Sequence, residues 1–532
     1  MYALENLSMK KIVDNKRALS LSVFLIGILA VLFYILIGEK VEFDSDFTDT
    51  ILWAEAMLTG NGLFDKTFAY AYTLPFGGSL LMVPFVALFG VGYKAHAMGF
   101  VLFLGIFVFA LYKLFRAMDF SIDATFLCTG AVLLLSLPTK NTRMIMWGHV
   151  IHYSLGLLFV TIALSVYRKI NIDTDKVLKD RQNIKSIVIL AVLSMLFCSN
   201  GLTTILFFAI PFYGAVIAER FIDTRDDLLC KKNINTLVVT AICGGAGFLG
   251  FIASKVLQRG VNTVYDSMFK DIQSWQNWVW DFEDRIRCML VVCAGGLPSE
   301  VPMESLMGVK ILYMALYGFI IMIVPFIAFI SYKKIENITI KILLISHVIL
   351  LFSTLFIYDF SSARGTAHRM VGIYMTAVLV TVTYCAWLLQ NKELSRFGAV
   401  LAVVLIGASV FSLYAVASLR GENRYVKLAR VLEENDLKHG YAEYWSAQVT
   451  TVLSDSRAEV CPIDVSEDGN VSERLYNVRP QQFEERAGVD KYFVFLSAWE
   501  YETLKNTLCS DAIDTIQFDE DGYIVVFDHN IF

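Results

Sequence analysis

Up to about residue 418, runs of about 20 apolar residues alternate with short charged segments, the pattern of helices that cross a hydrocarbon core about 30 Å thick. The first run, Ala18 to Gly38, follows Lys10, Lys11, Lys16 and Arg17, so the positive-inside rule puts the N-terminus in the cytoplasm. Further runs fall at about 95–112, 122–138, 149–167, 186–199, 202–218, 235–253, 309–330, 339–358, 370–390 and 397–418, which predicts about 11 transmembrane helices. The run Ser79 to Val91 is short and holds Pro84, and it is read as interfacial. Counting it as a crossing would put Lys113, Arg116 and the Arg168 to Lys185 cluster outside. Leaving it out puts them inside, together with Arg220 to Lys232, Lys333, Lys334, Lys392 and Arg396.

An odd number of crossings leaves everything beyond Ser418 on the outer face, where the pattern changes. Arg424 to Leu437 reads as an amphipathic helix, Tyr492 to Leu496 as a buried strand and Trp499 to Leu508 as a helix. Ile513 to Phe518 and Tyr523 to Phe527 read as a hairpin around Asp519-Glu520-Asp521-Gly522. The expected architecture is an α-helical polytopic membrane protein, residues 1–418, followed by a small extracytoplasmic α/β domain, residues 419–532. Two outer loops are long, about 39–93 and 254–308, whereas the inner loops are short. Function is therefore expected on the outer face.

Composition agrees: of 532 residues 56% are hydrophobic and 18% charged, which excludes disorder and an ordinary soluble globule. The net charge of −5 offers no basic surface to a phosphate backbone, so nucleic acid is excluded as a partner. The nine cysteines form no Cys-x-x-Cys pair. Cys288 with Cys293, or Cys461 with Cys509, could form disulfides, a matter that spacing leaves open.

Chemistry gathers at span ends. Directly after the first run come Asp44, Asp46 and Asp49, carboxylates able to deprotonate an acceptor hydroxyl or amine, or to bind a divalent cation through oxygen. The plainer reading is a solvated acidic cap. The cluster leads into a helix from Thr50 to Leu58, then Gly60-Asn61-Gly62 and a Leu74-Pro75-Phe76-Gly77-Gly78 turn. This order resembles the first outer loop of the GT-C superfamily of membrane glycosyltransferases, which includes protein O-mannosyltransferases, the lipid A aminoarabinose transferase and oligosaccharyltransferases. Asp46, Ala54 and Met57-Leu58 match that pattern; Asp49 departs from it, since an aromatic residue is common there, and Leu74-Pro75 reverses the usual order. The resemblance implies a polyprenyl-phosphate-sugar donor, and Asp46 as the acid/base or cation-binding carboxylate, assisted by Asp44 and Asp49. If a cation (Mg or Mn) takes part, Asp44 and Asp46 are its expected ligands; no cofactor is established by the residues.

Arg364, His368 and Arg369 stand between the ninth and tenth runs, and cations at a membrane surface are costly unless they meet an anion. A lipid-linked phosphate is the natural anion, and the resemblance places an arginine of a comparable late loop on the carrier phosphate. Snorkelling to lipid headgroups is the alternative. Arg143, His149 and His152 lie around the second outer turn, the two histidines able to face one side of a helix, as a proton relay, half a metal site or hydrogen-bonded helix-end side chains, with Arg143 and His149 as possible contacts to the sugar or acceptor. Trp275 and Trp278 beside Asp271 and Asp281 suit stacking on a sugar, or plain anchoring at the interface.

The expected function is glycosyl transfer at the cell membrane from a polyprenyl-phosphate-sugar to a glycan, lipid or protein acceptor. A transporter or flippase of lipid-linked sugars would place ionisable residues near the bilayer centre on paired repeats, and no clear repeat is visible. A non-enzymatic membrane scaffold is a third reading; it has no use for Asp46 and Arg369.

Overall fold

The computed structural model describes residues 2–60, 62–174, 177–224, 227, 230–264, 271–295, 301–361 and 365–532, with side chains from Asn15 onward. The protein is a multi-pass membrane protein. Among the described residues nine helices are long and apolar enough to cross a bilayer, or ten if the pair Ile122–Leu135 and Lys140–Gly148, bent by 118°, is one broken span. Each predicted run contains a helix, but the one expected at 149–167 starts only at His152, which leaves His149 in the extended turn before it and off that helix face, and the one at 122–138 ends at Leu135. The two outside the nine are Ile122–Leu135, with 14 residues, and His152–Tyr167, with 16. Ser79–Phe89 is a helix of 11 residues with Pro84 inside it, about 16 Å long and too short to span.

The chain forms two compact units. The first contains Met1–Tyr34, Phe103–Ser254 and Ser267–Leu419; the second contains Ile35–Leu102, Lys255–Asp266 and Arg420–Phe532.

The first unit is a helical bundle. In lipid, helices gain little from hiding apolar surface from one another, so close backbone approach and interhelical hydrogen bonds must hold them together. Tyr2–Phe33 crosses Ile122–Leu135 at Gly27 and Gly130, where a Cβ on Gly130 would sit 2.5 Å from the Val23 carbonyl oxygen. Tyrosine hydroxyls supply the second kind of tie: Tyr374 donates to the Leu135 carbonyl at 2.7 Å and lies 3.0 Å from the Tyr317 hydroxyl. We expect Gly130→Ala to cost about 1–3 kcal/mol by forcing these backbones apart. Gly105→Ala, where an added Cβ meets nothing within 4 Å, should leave stability unchanged or slightly raised. Denaturant unfolding of the detergent-solubilised protein, with both variants in parallel, measures the difference.

A helix that the sequence reading left as outer loop, Trp278–Ala294, also belongs to this unit. Its Val292 carbonyl accepts from Thr139 Oγ1 at 2.9 Å, and Thr139 caps the helix Lys140–Arg143 through a reciprocal bond pair with Thr142. That cap fixes the sharp turn after Pro138.

The second unit is built on a six-stranded sheet in the order β5-β4-β3-β6-β8-β7, with β3 His439–Glu443, β4 Glu459–Val465, β5 Val471–Glu473, β6 Tyr492–Ser497, β7 Asp514–Asp519 and β8 Gly522–Phe527. The short strands β1 Ala69–Tyr70 and β2 Asn262–Thr263 pair in parallel beside it. β3 runs parallel to β4 and β6, and the other pairings are antiparallel. The helices Arg424–Glu434, Tyr444–Leu453 and Ala498–Leu504 accompany the sheet. One apolar layer gathers Leu428, Leu432, Phe493, Phe495 and Ile524; the other gathers Tyr441, Ile463, Val494, Leu504 and Phe527.

Candidate functional site

In the second unit, the chain leaves the first span through the helix Glu39–Glu42 and turns at Asp44, whose Oδ1 accepts the Asp46 amide at 3.2 Å and starts a 3-10 turn, Ser45–Thr48. A carboxylate at an N-cap is the usual solution for an orphan amide, so the Asp-Ser-Asp spacing builds its own turn. Asp46 is thereby held half-buried, and the Tyr444 hydroxyl donates to its Oδ1 at 3.2 Å. Ser45 donates to the Tyr444 carbonyl at 2.7 Å, so this one residue holds the turn by side chain and backbone. Burial, with Asp49, Tyr476 and Asp46 nearby, keeps the Tyr444 phenol well above its ordinary pKa and so a hydrogen-bond donor. Arg474 covers the Tyr444 ring at 4.9 Å.

Asp49 begins the helix Asp49–Thr59 and is 2% exposed, its Oδ1 accepting from Asn477 Nδ2 at 2.6 Å. Asn477 also accepts from Trp53 Nε1 at 2.8 Å and from the Ala71 amide at 3.0 Å, so it links three parts of the first outer segment. Two residues on, Arg479 pairs with Glu55 at 3.0 Å and Asp65 at 2.9 Å. Burial pushes the Asp65 carboxyl up, but hydrogen bonds from Thr67 and the Arg479 guanidinium outweigh it and leave Asp65 below the usual carboxylate range. Tyr444, Asn477 and Arg479 were absent from the sequence reading. Each lies about 400 residues from its partner, and no local pattern marks such a meeting.

In the first unit a second group of side chains comes together. His149, His368 and Arg369 all lie close enough to His152 to act on it electrostatically. His149 and His152 are buried; His368 and Arg369, on the turn Ala367–Met370, are half-buried. The Arg369 guanidinium sits over the Tyr358 ring at 5.6 Å, and the Tyr358 hydroxyl lies 3.1 Å from that of Tyr153. Thr366 Oγ1 lies 3.1 Å from the His368 ring. Arg143 is 5% exposed, donates to the Leu137 carbonyl at 2.7 Å, and is near enough to Lys310 for the two charges to interact. Imidazoles and guanidinium gathered against phenols suit an anion, with arginine for bidentate contact and histidine for a transferable proton. Arg364 lies outside the described residues.

Arg285, also missed by sequence reasoning, supports the segment that leads to this group. It is 3% exposed and its guanidinium donates to the Gly365 carbonyl and lies 3.0 Å from Asp284 and 3.8 Å from Asp359. Trp278 donates to the Gln273 carbonyl at 3.2 Å and packs on Phe360 at 4.4 Å, whereas Trp275 is 71% exposed. All nine cysteines are free, so neither suggested disulfide is formed. Among the described residues no group of three or more His, Cys, Asp or Glu side chains is arranged to hold a metal ion. Asp44 Oδ1 accepts from the Asp46 amide and Asp46 Oδ1 from the Tyr444 hydroxyl.

No family profile matches the chain, and no curated protein does. Solved structures do. The chain resembles ArnT from Cupriavidus metallidurans in the apo state, with a TM-score of 0.54 and 14% identity over 95% of this chain and 97% of that one. The chain has a GT-C-type fold. The same ArnT bound to undecaprenyl phosphate aligns with a TM-score of 0.51 at 14% identity, again over 95% and 97%. The Archaeoglobus fulgidus oligosaccharyltransferase tethered to an acceptor peptide gives a TM-score of 0.46 at 11% identity over 87% of this chain. The chain spans 64% of that protein's length.

Proposed function

We propose that the protein transfers a glycosyl group from a polyprenyl-phosphate-sugar donor to a glycan, lipid or protein acceptor on the extracytoplasmic side, with its N-terminus in the cytoplasm. The observation that carries this reading is the gathering of His149, His152, His368 and Arg369 in the membrane unit of a fold shared with a protein that binds undecaprenyl phosphate. In the reaction the bond between the sugar's anomeric carbon and the phosphate oxygen breaks, and a bond from that carbon to the acceptor oxygen or nitrogen forms. The bonding pair leaves with the phosphate, so negative charge grows there, and Arg369 with His368, His149 and Arg143 stabilises it. The acceptor's proton goes to the Asp46 carboxylate, oriented by Tyr444. Asp44 shapes the turn and Asp49 anchors it through Asn477; both are positioning residues here. Trp275, exposed, and Trp278 contribute sugar or acceptor contacts.

The test is initial-rate transfer of radiolabel from a prenyl-phosphate sugar to glycan, lipid and protein fractions by purified protein in nanodiscs. Arg369→Ala should raise the donor KM about 10- to 100-fold, the worth of a charge-assisted contact to phosphate, with a smaller change in the acceptor KM. Wild-type protein that labels no fraction from any such donor would end this reading.

A further inference from the structure

Glu39 and His96 form a side-chain pair that plays no part in the chemistry above. Glu39 Oε1 and His96 Nε2 are 2.7 Å apart, and both side chains have zero exposure. Glu39 closes the first span and His96 opens the helix Tyr93–Ala117, so the pair bolts together the two ends of the outer segment that carries Asp44, Asp46 and Asp49. A carboxylate alone in such a place is prohibitively costly, and an imidazole beside it makes the pair neutral overall whichever atom holds the shared proton.

Aromatic rings carry this fixed point to the acidic turn. The His96 ring meets the Phe43 ring edge-on at 5.0 Å, and Tyr93 meets Phe43 at 5.6 Å while its hydroxyl donates to the Ile35 carbonyl at 2.8 Å. Phe43 in turn packs on Phe47 at 5.2 Å, inside the 3-10 turn that holds Asp46. The Phe43 carbonyl accepts from Asn423 Nδ2 at 2.8 Å, which pins the same residue from the other side. Phe43 is 1% exposed and Phe47 is fully buried, so a shift of His96 has no slack to absorb it before Asp46.

We propose that Glu39 and His96 are a positioning pair for Asp46: they set where its carboxylate stands without touching donor or acceptor. The proposal rests on the function given to Asp46 above. A carboxylate displaced by about 1 Å loses catalytic power on the order of 10²-fold while ground-state binding survives, so the pair should act on kcat and spare KM.

His96→Ala and Glu39→Ala should each lower kcat about 10- to 100-fold, with donor and acceptor KM within about twofold of wild type. Glu39→Gln/His96→Gln, which restores a neutral hydrogen-bonded pair, should return kcat to within about threefold of wild type. In an Asp46→Asn background His96→Ala should change the residual rate by less than about twofold, because the two act through one group. Hydrogen exchange at the amides of Phe43–Thr48 should speed up about tenfold in the single variants and recover in the pair, a readout independent of activity. Where His96→Ala fails to fold, Glu39→Ala and the paired variant carry the test. Wild-type kcat and exchange in folded single variants, full multiplication of the losses with Asp46→Asn, or no recovery in the pair would each overturn the proposal. Wild-type protein without any transfer removes the proposed function instead, and the exchange measurement then still reads the positioning.

Discussion

Asp46→Asn should lower kcat for glycosyl transfer by about 10²- to 10⁴-fold while leaving both KM values within about threefold, the range expected when a positioned base is removed. The amide keeps the size of the side chain, and its oxygen can still accept the Tyr444 hydroxyl, so the turn Ser45–Thr48 should stand. What disappears is the ability to take a proton. Asp46→Glu keeps the carboxylate but moves it by about one methylene, and should fall between the two. Tyr444→Phe removes one hydrogen bond and should cost about 3- to 10-fold in kcat, consistent with a net worth of about 1 kcal/mol. Asp49→Asn, at the buried clamp with Asn477, should act on stability and expression before it acts on kcat. Initial rates across both substrates, with melting temperatures for each variant, separate these outcomes. An Asp46→Asn enzyme within about twofold of wild type would remove the base from this mechanism.

The spans were legible because lipid leaves the chain little choice: a crossing must be helical and apolar for its whole length, and such runs show in one dimension. The acidic cluster was visible as a cluster because Asp44 and Asp46 stand two residues apart, while the 3-10 turn that Asp44 caps was not predicted. What failed to show is long range or atypical. His149 and His152 share a spacing, but nothing in that spacing tells of His368 and Arg369, more than 200 residues on. β3 reads His-Gly-Tyr-Ala-Glu, with no β-branched residue, and β4 carries Pro462, which argues against a strand in any pattern-based reading. Both form because each is covered by the two apolar layers of the sheet, a tertiary effect. The helix Trp278–Ala294 was hidden by Asp281, Glu283, Asp284, Arg285 and Arg287, which break the apolar run, although Arg285 and Arg287 pair with Asp281 and Asp284 once it is folded.

Within that helix Arg285→Met should be among the most destabilising single changes in the first unit, about 3–5 kcal/mol, although methionine fills similar space. The guanidinium is nearly sealed from solvent and has Asp281, Asp284 and Asp359 around it, with the Gly365 carbonyl as a further acceptor. Removing it leaves the Asp359 carboxylate, itself 9% exposed, without its counter-ion in a place where a lone charge is far more costly than a lost contact. Asp359→Asn in the Arg285→Met background should therefore recover part of the loss, about 1–2 kcal/mol, whereas independent sites would simply add. Arg287→Met is the matched control: that side chain is 74% exposed and pairs with Asp284 at the surface, so stability close to wild type is expected. Function should follow the same line, because Gly365 stands four residues before Arg369 and its carbonyl is held by Arg285. Freed from that hold, the turn Ala367–Met370 should present Arg369 less well to a phosphate, raising the donor KM severalfold at temperatures where the variant stays folded. Denaturant unfolding of the three variants gives the stability terms, and donor titration gives the KM. Additive losses in Arg285→Met/Asp359→Asn, with an unchanged donor KM in Arg285→Met, would show that Arg285 is a surface-like ion pair despite its burial.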